Sequence, residues 1–230
     1  TKVLILISYY KGDIIMNKQD GFIMDLWEKI FSFLSKISIF TLLRFIRKRM
    51  GKEITYTFVD SWVLGNLILS ILSSIIVYNL TSEYEVLLFI IFGYGVLRVF
   101  EVIIYQINVL LFDPYRCKKQ NKPYKIKSKS RMVLLLLHNY VEIMFWYSTM
   151  MITLVVLILG KVDNSWMSYI RSNILCIVTF DSNVVIEATG KTFPYLYTLA
   201  FYEIMSGIIM TVISLARFVG ILPDVEEIDS

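Results

Sequence analysis

Four long apolar runs dominate the chain, each bounded by turn residues or charged residues. They cover about Phe58–Leu80, Tyr84–Phe112, Met132–Leu159 and Pro194–Gly220. A membrane crossing needs about 20 consecutive apolar residues, and all four runs reach that length. The pattern therefore predicts an all-α membrane protein with four transmembrane helices.

A fifth apolar segment lies between the third and fourth runs, from about Ser165 to Phe180, and is too short to cross a bilayer. A polar turn at 181–192 follows it, and Pro194 then opens the fourth run. A short helix, a polar turn and a full membrane helix in this order predict a re-entrant pore-type helix. The alternative is an extracellular loop with an apolar anchor.

The end of that short segment carries the candidate pore residues, which are Thr179, Phe180, Asp181 and Ser182. Lipid cannot satisfy the unpaired backbone groups at the end of a re-entrant helix, so these groups must face protein or water. In a symmetric assembly, four copies would form a ring of carbonyls, hydroxyls and carboxylates. Rings of Asp side chains favour cations, so the predicted ligands are inorganic cations.

Apolar and basic residues interleave at helical spacing over residues 22–50. This pattern predicts an N-terminal amphipathic helix that ends at Gly51 and lies in the headgroup layer, attracted to anionic lipid. The alternative is a helix packed on the rest of the protein. The chain begins at Thr1, and a start at Met16 is an open alternative.

Basic residues predict the topology. Nine Lys and Arg fall between Lys11 and Lys52 and eight in the loop 113–131, against none in the turn 81–85 and three in 161–193. The positive-inside rule then puts both termini in the cytoplasm. The predicted division is a 1–57 N-terminal segment, a 58–112 helix pair peripheral to the pore, a 113–131 basic loop, a 132–223 pore module and a 224–230 acidic tail.

Composition agrees with an integral membrane protein: 57% of the residues are hydrophobic, 18% are charged and the mean hydropathy is +0.64. Soluble domains have about 45–50% apolar and about 25% charged residues. The chain has two cysteines, Cys117 and Cys176, in different environments, and one histidine, so neither a disulfide nor a zinc site is predicted. No cofactor is expected, and the absence of GxSxG, HExxH and phosphate-loop motifs argues against an enzyme.

Ionisable residues inside the predicted helices are further candidates, because their desolvation is costly. Arg98 and Glu101 lie three apart on the second helix and are predicted to pair. His138 and Glu142 lie four apart on the third helix, where a hydrogen-bonded pair is the expected arrangement. Glu203 lies in the fourth helix, where it either pairs with another helix or lines a cavity.

The region from about residue 132 to residue 220 resembles the pore module of the potassium-channel superfamily, in the divergent form of small bacterial ion-channel-like proteins. The similarity lies in the outer helix LLLLHNYVEIMFWYSTMM, the pore-helix end ILCIVTFDS and the inner helix FPYLYTLAFYEIMSGIIMTVISLARF. It covers about 90 residues. TFDSNV has no glycine where the family filter has two, so the resemblance implies a channel-like fold with an altered mouth.

The resemblance also implies a homotetramer in the bacterial inner membrane. It places Thr179 near the threonine that opens the filter. It matches Glu203 and Gly207 to an acid and a glycine of the inner helix, where the glycine is either a hinge or a close-packing residue. The function predicted on this basis is passive cation permeation.

Two other functions stay open. The first is a non-conducting sensor or scaffold whose basic segments, including the 113–131 loop, recruit a cytoplasmic protein or nucleic acid. The second is a transporter with Glu142 or Glu203 on a proton pathway, although the chain shows no internal repeat.

Overall fold

The structure is a computed structural model that describes residues 21–124, 126, 128–190 and 193–220. Within these ranges the ordered elements are all helical. The α-helices are α1 (Gly21–Leu34), α2 (Ile39–Arg49), α3 (Tyr56–Asn79), α4 (Glu85–Ile107), α5 (Asp113–Lys119), α6 (Lys129–Leu159), α7 (Trp166–Thr179), α8 (Asn183–Thr189) and α9 (Pro194–Val219). The possible start at Met16 and the acidic tail 224–230 lie outside the described residues.

The four predicted membrane helices are confirmed as α3, α4, α6 and α9, each long and apolar enough to cross a membrane. The second is longer than a crossing requires. A π-helical turn, Asn108–Phe112, joins α4 to α5, so the helix runs from Ser82 to Lys119, 38 residues or about 57 Å. Since the hydrocarbon core is about 30 Å thick, α5 extends beyond the length needed to cross it.

The long helices alternate in direction and define two ends of the molecule. At the first, here called the basic end, Arg131 at the start of α6 bonds Asp60 at the start of α3, and Lys129 Nζ lies 3.5 Å from the Gly220 carbonyl after α9. At the other, the hairpin end, the Tyr78 hydroxyl donates to the Asn164 carbonyl at 3.2 Å.

Helix α6 is the centre of the fold. In the most apolar 18-residue stretch of α6, 67% of the residues are buried, against 33–39% in the corresponding stretches of the other three long helices. Its apolar residues occur on all sides, which is typical of a helix surrounded by protein. Helices α3, α4, α7 and α9 all pack against it, whereas α3 and α4 contact each other only briefly. The first two long helices therefore both flank α6, and among their few direct contacts the Tyr94 hydroxyl donates to Asn66 Oδ1 at 2.8 Å.

Helices α7 and α8 form an antiparallel hairpin. Trp166 Nε1, at the start of α7, donates to Ser74 Oγ of α3 at 3.1 Å, and Asn164 Nδ2 donates to the Ala188 carbonyl near the end of α8 at 2.6 Å. The chain reverses at Phe180, whose φ is +57°. The Asp181 carboxylate accepts a bond from the Asn183 amide at 2.9 Å and stabilises this turn.

The prediction of a polar turn over the whole of 181–192 is therefore wrong for its middle part, because Asn183–Thr189 is helical. Burial of one apolar side chain accounts for the difference. Val185 is 1% exposed and belongs to the main apolar core. Tertiary packing outweighs the weak helix propensity of this segment, which has two consecutive valines. The reversal itself takes only the residues between Thr179 and Asn183.

The prediction of one amphipathic helix over residues 22–50 is also corrected. A 3₁₀ turn at Ser35–Ile37 ends α1, and Ser38 has an extended backbone and caps α2 by accepting a bond from the Thr41 amide at 3.2 Å. The break lets the Ser38 hydroxyl and the Phe40 amide reach Glu101 of α4. The second helix ends at Arg49, just before Gly51, whose φ is +72°.

Candidate functional site

The four candidate pore residues occupy the tip of the α7–α8 hairpin. Thr179 Oγ1 donates to the Leu175 carbonyl at 2.7 Å and so stays on the helix surface. Phe180 is 44% exposed, Asp181 is exposed, and Ser182 is half-buried. Within one chain these residues therefore form an open tip that exposes the Phe180 ring beside the polar side chains of Thr179 and Asp181.

The depth of the tip is fixed by a close contact between α7 and α9. A Cβ added to Gly207 would lie 3.0 Å from Ile177 Cγ2 and 3.2 Å from the Ile177 carbonyl oxygen. Gly207 lies 13 residues after Pro194 and 12 before Val219, so it is about 20 Å from either end of α9. The last turn of α7 is thus level with the middle of a helix long enough to cross the membrane.

Gly207 therefore serves close packing, which is one of the two roles predicted for it. Helix α9 continues through this position without a break. The missing side chain lets the two backbones approach, which is the common use of glycine between membrane helices. This contact holds the hairpin against α9.

Glu203 lies one turn before Gly207 on the same helix and is fully buried. The thiol of Cys176, on α7, lies close to the Glu203 carboxyl group. Neither carboxyl oxygen has a well-formed hydrogen bond among the described residues. Nearby, the Tyr147 hydroxyl donates to the Tyr202 carbonyl at 2.9 Å and lies 2.8 Å from Ser206 Oγ. Glu203 thus faces the hairpin helix and lacks the partner that a buried carboxyl normally has.

A second buried group joins α4 to α6. Arg98 Nη1 lies 2.5 Å from Glu101 Oε2, while its Nε and Nη2 lie 2.7 and 3.0 Å from the two carboxylate oxygens of Glu142. Trp146 Nε1 also donates to Glu142 at 3.1 Å. The three charged side chains are at most 4% exposed. The predicted Arg98–Glu101 pair is confirmed, and Glu142 makes it a triad.

The triad has two carboxylates and one cation, and the start of α2 compensates the excess negative charge. Glu101 Oε1 accepts bonds from the Ser38 hydroxyl and from the Phe40 amide, the latter at 2.6 Å. A helix N-terminus carries a partial positive charge and favours a carboxylate. The Arg98 guanidinium also lies 5.4 Å from the centre of the Trp62 ring. The N-terminal segment is thereby bonded to the interior of the bundle.

The predicted His138–Glu142 pair is wrong. His138 is half-buried, and its Nδ1 lies 2.7 Å from the Leu134 carbonyl of the preceding turn. Glu142 is directed to Arg98 instead, because a guanidinium gives a carboxylate two charge-assisted bonds that an imidazole cannot match.

The predicted basic loop 113–131 is only partly a loop. Its first seven residues form α5, where Arg116 Nε bonds Glu28 and Lys119 Nζ bonds Asp25, both at 2.7 Å. These two bases are therefore engaged by α1, whereas Lys118 and Lys122 are exposed. A cytoplasmic partner for this segment stays a prediction.

Sequence reasoning missed two residues that contact the triad, Ser38 and Trp62, and it missed the burial of Arg217. Ser38 immediately precedes the apolar run IFTLL, which is a helix-start signal that could have revealed the break. Trp62 had no signal beyond its place near a helix end. Arg217, in the last turn of α9, is 5% exposed, and its Nε and Nη2 have no hydrogen-bond partner within the described part of the chain.

Both cysteines are free thiols, with Cys176 buried and Cys117 half-buried. Across the described ranges, no three His, Cys, Asp or Glu side chains are grouped as a metal site would require. Comparison of the chain with protein-family models, with curated proteins and with solved structures found no match in any of the three.

Proposed function

We propose that the protein is a channel-like membrane protein that lets cations permeate passively. Several copies of the chain would surround one pathway lined by the tips of their α7–α8 hairpins. The observation that carries this proposal is the exposed polar tip level with the middle of α9. In this proposal the hairpin is a re-entrant element within the membrane.

The physical argument concerns what can face the tip. The last four carbonyls of α7 have no partner within their own helix, and Asp181 adds an exposed carboxylate. Hydrocarbon cannot satisfy either group at this depth. Water or protein must therefore cover the tip. A water-filled pathway between several copies of the chain supplies water on one side of the tip and protein on the other. Four copies is the number implied by the resemblance to the potassium-channel pore module.

The chemistry of the tip fits cations. A ring of Asp181 carboxylates would concentrate cations at the mouth, and Thr179 and Phe180 would line the narrowest part. The left-handed conformation at Phe180 is one that glycine adopts without cost and other residues adopt rarely. A selectivity filter of the potassium type needs glycine at such positions, so we do not extend the proposal to potassium selectivity.

The proposed orientation places the basic end in the cytoplasm of the cell, with the bacterial inner membrane as the site. Helix α2 ends in Arg47, Lys48 and Arg49, and α5 ends in Lys118 and Lys119. Cytoplasmic segments are enriched in Lys and Arg, which supports this orientation. The hairpin would then enter the membrane from the outside.

The test is conductance of the purified protein in planar bilayers under potassium, sodium or chloride gradients. We expect Asp181→Asn to lower the cation current about fivefold and Asp181→Lys to lower it further, since a unit charge at about 4 Å in water is worth about 1 kcal/mol. The matched control is Asp163→Asn, because Asp163 is also exposed but forms a surface pair with Lys161 at 3.3 Å.

Two outcomes would contradict parts of the proposal. An unchanged current in Asp181→Lys would remove Asp181 from the pathway while leaving permeation intact. A silent bilayer from well-folded oligomers would reject permeation itself.

Recruitment of a cytoplasmic partner is the second candidate function, and the exposure of Lys118 and Lys122 favours it. Replacing lysines 118, 122, 125 and 127 by glutamine removes the basic charge but keeps the connector, and it spares Arg116 and Lys119, which bond α1. A scaffold should lose its partner in this variant, as judged by co-purification, whereas a pore should still conduct. Retention of the same partner by the variant would count against recruitment through this segment.

A further inference from the structure

We propose that α1 is a membrane-surface anchor whose exposed apolar face binds the lipid surface where α4 leaves the membrane. This inference is independent of permeation. It rests on how α1 is attached, on which of its faces is left open and on the depth at which the attachment holds it.

The polar side of α1 is clamped to α5. Asp25 accepts bonds from Lys119 Nζ at 2.7 Å and from the Tyr115 hydroxyl at 2.8 Å, and Glu28 bonds Arg116 Nε at 2.7 Å. The contact continues in the π-turn that precedes α5, where the Phe31 and Phe112 rings stack with centroids 5.1 Å apart. Both acids of α1 therefore point at α5, where Lys119 pairs with Asp25 and Arg116 pairs with both Glu28 and Asp113.

The contact of Asp25 with Lys119 is insensitive to pH in the physiological range. The hydrogen bond from Lys119 holds the pKa of Asp25 below its ordinary value of 3.8. A lowered carboxyl pKa means that the stabilising contact is fully present above the ordinary value. It is lost only as the pH falls through the lowered pKa.

The opposite side of α1 is apolar and open. No residue of α1 is buried, and several of its large side chains are among the most exposed in the described structure. Phe22 is 74% exposed, Ile23 64%, Trp27 48% and Phe33 63%. Single exposed apolar side chains are common on proteins, but a continuous apolar strip along one helix is not. Such a strip indicates a binding surface.

The attachment point sets the depth of α1. Helix α4 has 23 residues, or about 35 Å, which already covers the hydrocarbon core of about 30 Å. The π-turn and α5, to which α1 is bonded, therefore lie at the level of the headgroups. A helix held there meets lipid along its free side, and Trp is the residue type most typical of that layer.

The surrounding charges identify a lipid surface as the occupant. The acids of the clamp, Asp25, Glu28 and Asp113, are all paired, whereas Lys29 on α1 and Lys118 on α5 are exposed basic side chains beside it. The end of α2 adds Arg47, Lys48 and Arg49 to the same basic end of the molecule. A basic rim around an apolar helix face is complementary to anionic headgroups above acyl chains. A second copy of the chain would bring the same positive rim against itself.

The proposal can be tested by site-directed spin labelling of the full chain in proteoliposomes that contain anionic phospholipid. The background is Cys117→Ser, in which the remaining thiol, Cys176, is fully buried and unreactive. Labels are placed on the open face through Phe22→Cys and Phe33→Cys. The matched control is Lys122→Cys, an exposed position in the connector that follows α5.

The readout is the collision rate of each label with oxygen, which concentrates in lipid, and with a water-soluble nickel chelate. The ratio of oxygen to nickel collisions at positions 22 and 33 is expected to exceed the ratio at position 122 severalfold. Preferential access of the nickel chelate to positions 22 and 33 would show that the face lies in water and would overturn the proposal. Shielding of these labels from both reagents would assign the face to a protein partner or a second copy, and would overturn it equally.

Discussion

Arg98→Met is expected to cost about 3–5 kcal/mol and to leave much of the protein unfolded. The substitution removes the only cation of the triad while Glu101 and Glu142 stay buried at 4% and 0% exposure. Breaking a buried ion pair from one side is costly because the remaining charge is uncompensated. Here two carboxylates lose their partner at once. The measurement is thermal unfolding of the purified protein in detergent, together with its elution volume in size-exclusion chromatography.

The control replaces the whole group. In Arg98→Met/Glu101→Gln/Glu142→Met no charge of the triad remains, and a glutamine at position 101 can still accept the bond from the Phe40 amide. Replacing a buried ion group by side chains of similar volume is often neutral or stabilising. The triple variant should therefore recover most of the stability lost by Arg98→Met. If it is as unstable as the single variant, packing volume and not charge balance is the contribution of Arg98.

Gly207→Ala is expected to destabilise the protein by about 1–3 kcal/mol and to abolish any conductance. The new methyl group would lie 3.0 Å from Ile177 Cγ2 and 3.2 Å from the Ile177 carbonyl oxygen. The backbone oxygen cannot rotate away, so α7 must shift from α9, and overpacking of this kind costs about that amount. A displaced α7 also moves the hairpin tip, which begins two residues after Ile177. Gly207→Leu should be more severe for both measurements.

The matched control is Gly93→Ala, since a Cβ at that helical position has nothing within 4 Å. There the substitution should change stability by no more than about 1 kcal/mol, the difference in helix propensity between the two residues. Thermal unfolding of the two variants and single-channel recording on each give the comparison. Equal behaviour of Gly207→Ala and Gly93→Ala would mean that the approach of α7 to α9 is not constrained by Ile177.

The sequence predicts the long helices well because their signal is both strong and local. A run of twenty apolar residues has few ways to fold, and the described bounds of α3 and α6 differ from the predicted ones by at most about three residues. The short α7 was also predictable, because its length excludes a crossing. The four candidate residues Thr179–Ser182 lie together for the same reason, being adjacent in the chain.

What could not be predicted depends on contacts between distant segments. His138 and Glu142 have the spacing of a pair, but the guanidinium that takes Glu142 comes from Arg98, 44 residues earlier. The partner of the Ser38 hydroxyl likewise comes from a distant segment, because Glu101 lies 63 residues later. Helical spacing describes which side chains share a face but not which neighbouring helix that face meets. The partner of a buried charge is therefore the information that a single sequence lacks.

The triad also bears on how the chain enters the membrane during its synthesis. Arg98 and Glu101 are three residues apart on one helix, so α4 carries both signs of charge and can be inserted as a nearly neutral segment. Glu142 is synthesised later, as part of α6, when its partner Arg98 is already present in α4. Helices α1 and α2 precede α4 in the chain but can settle only after α4 exists, because both are bonded to α4 or its extension. These two helices are thus synthesised before the segment that fixes their final position.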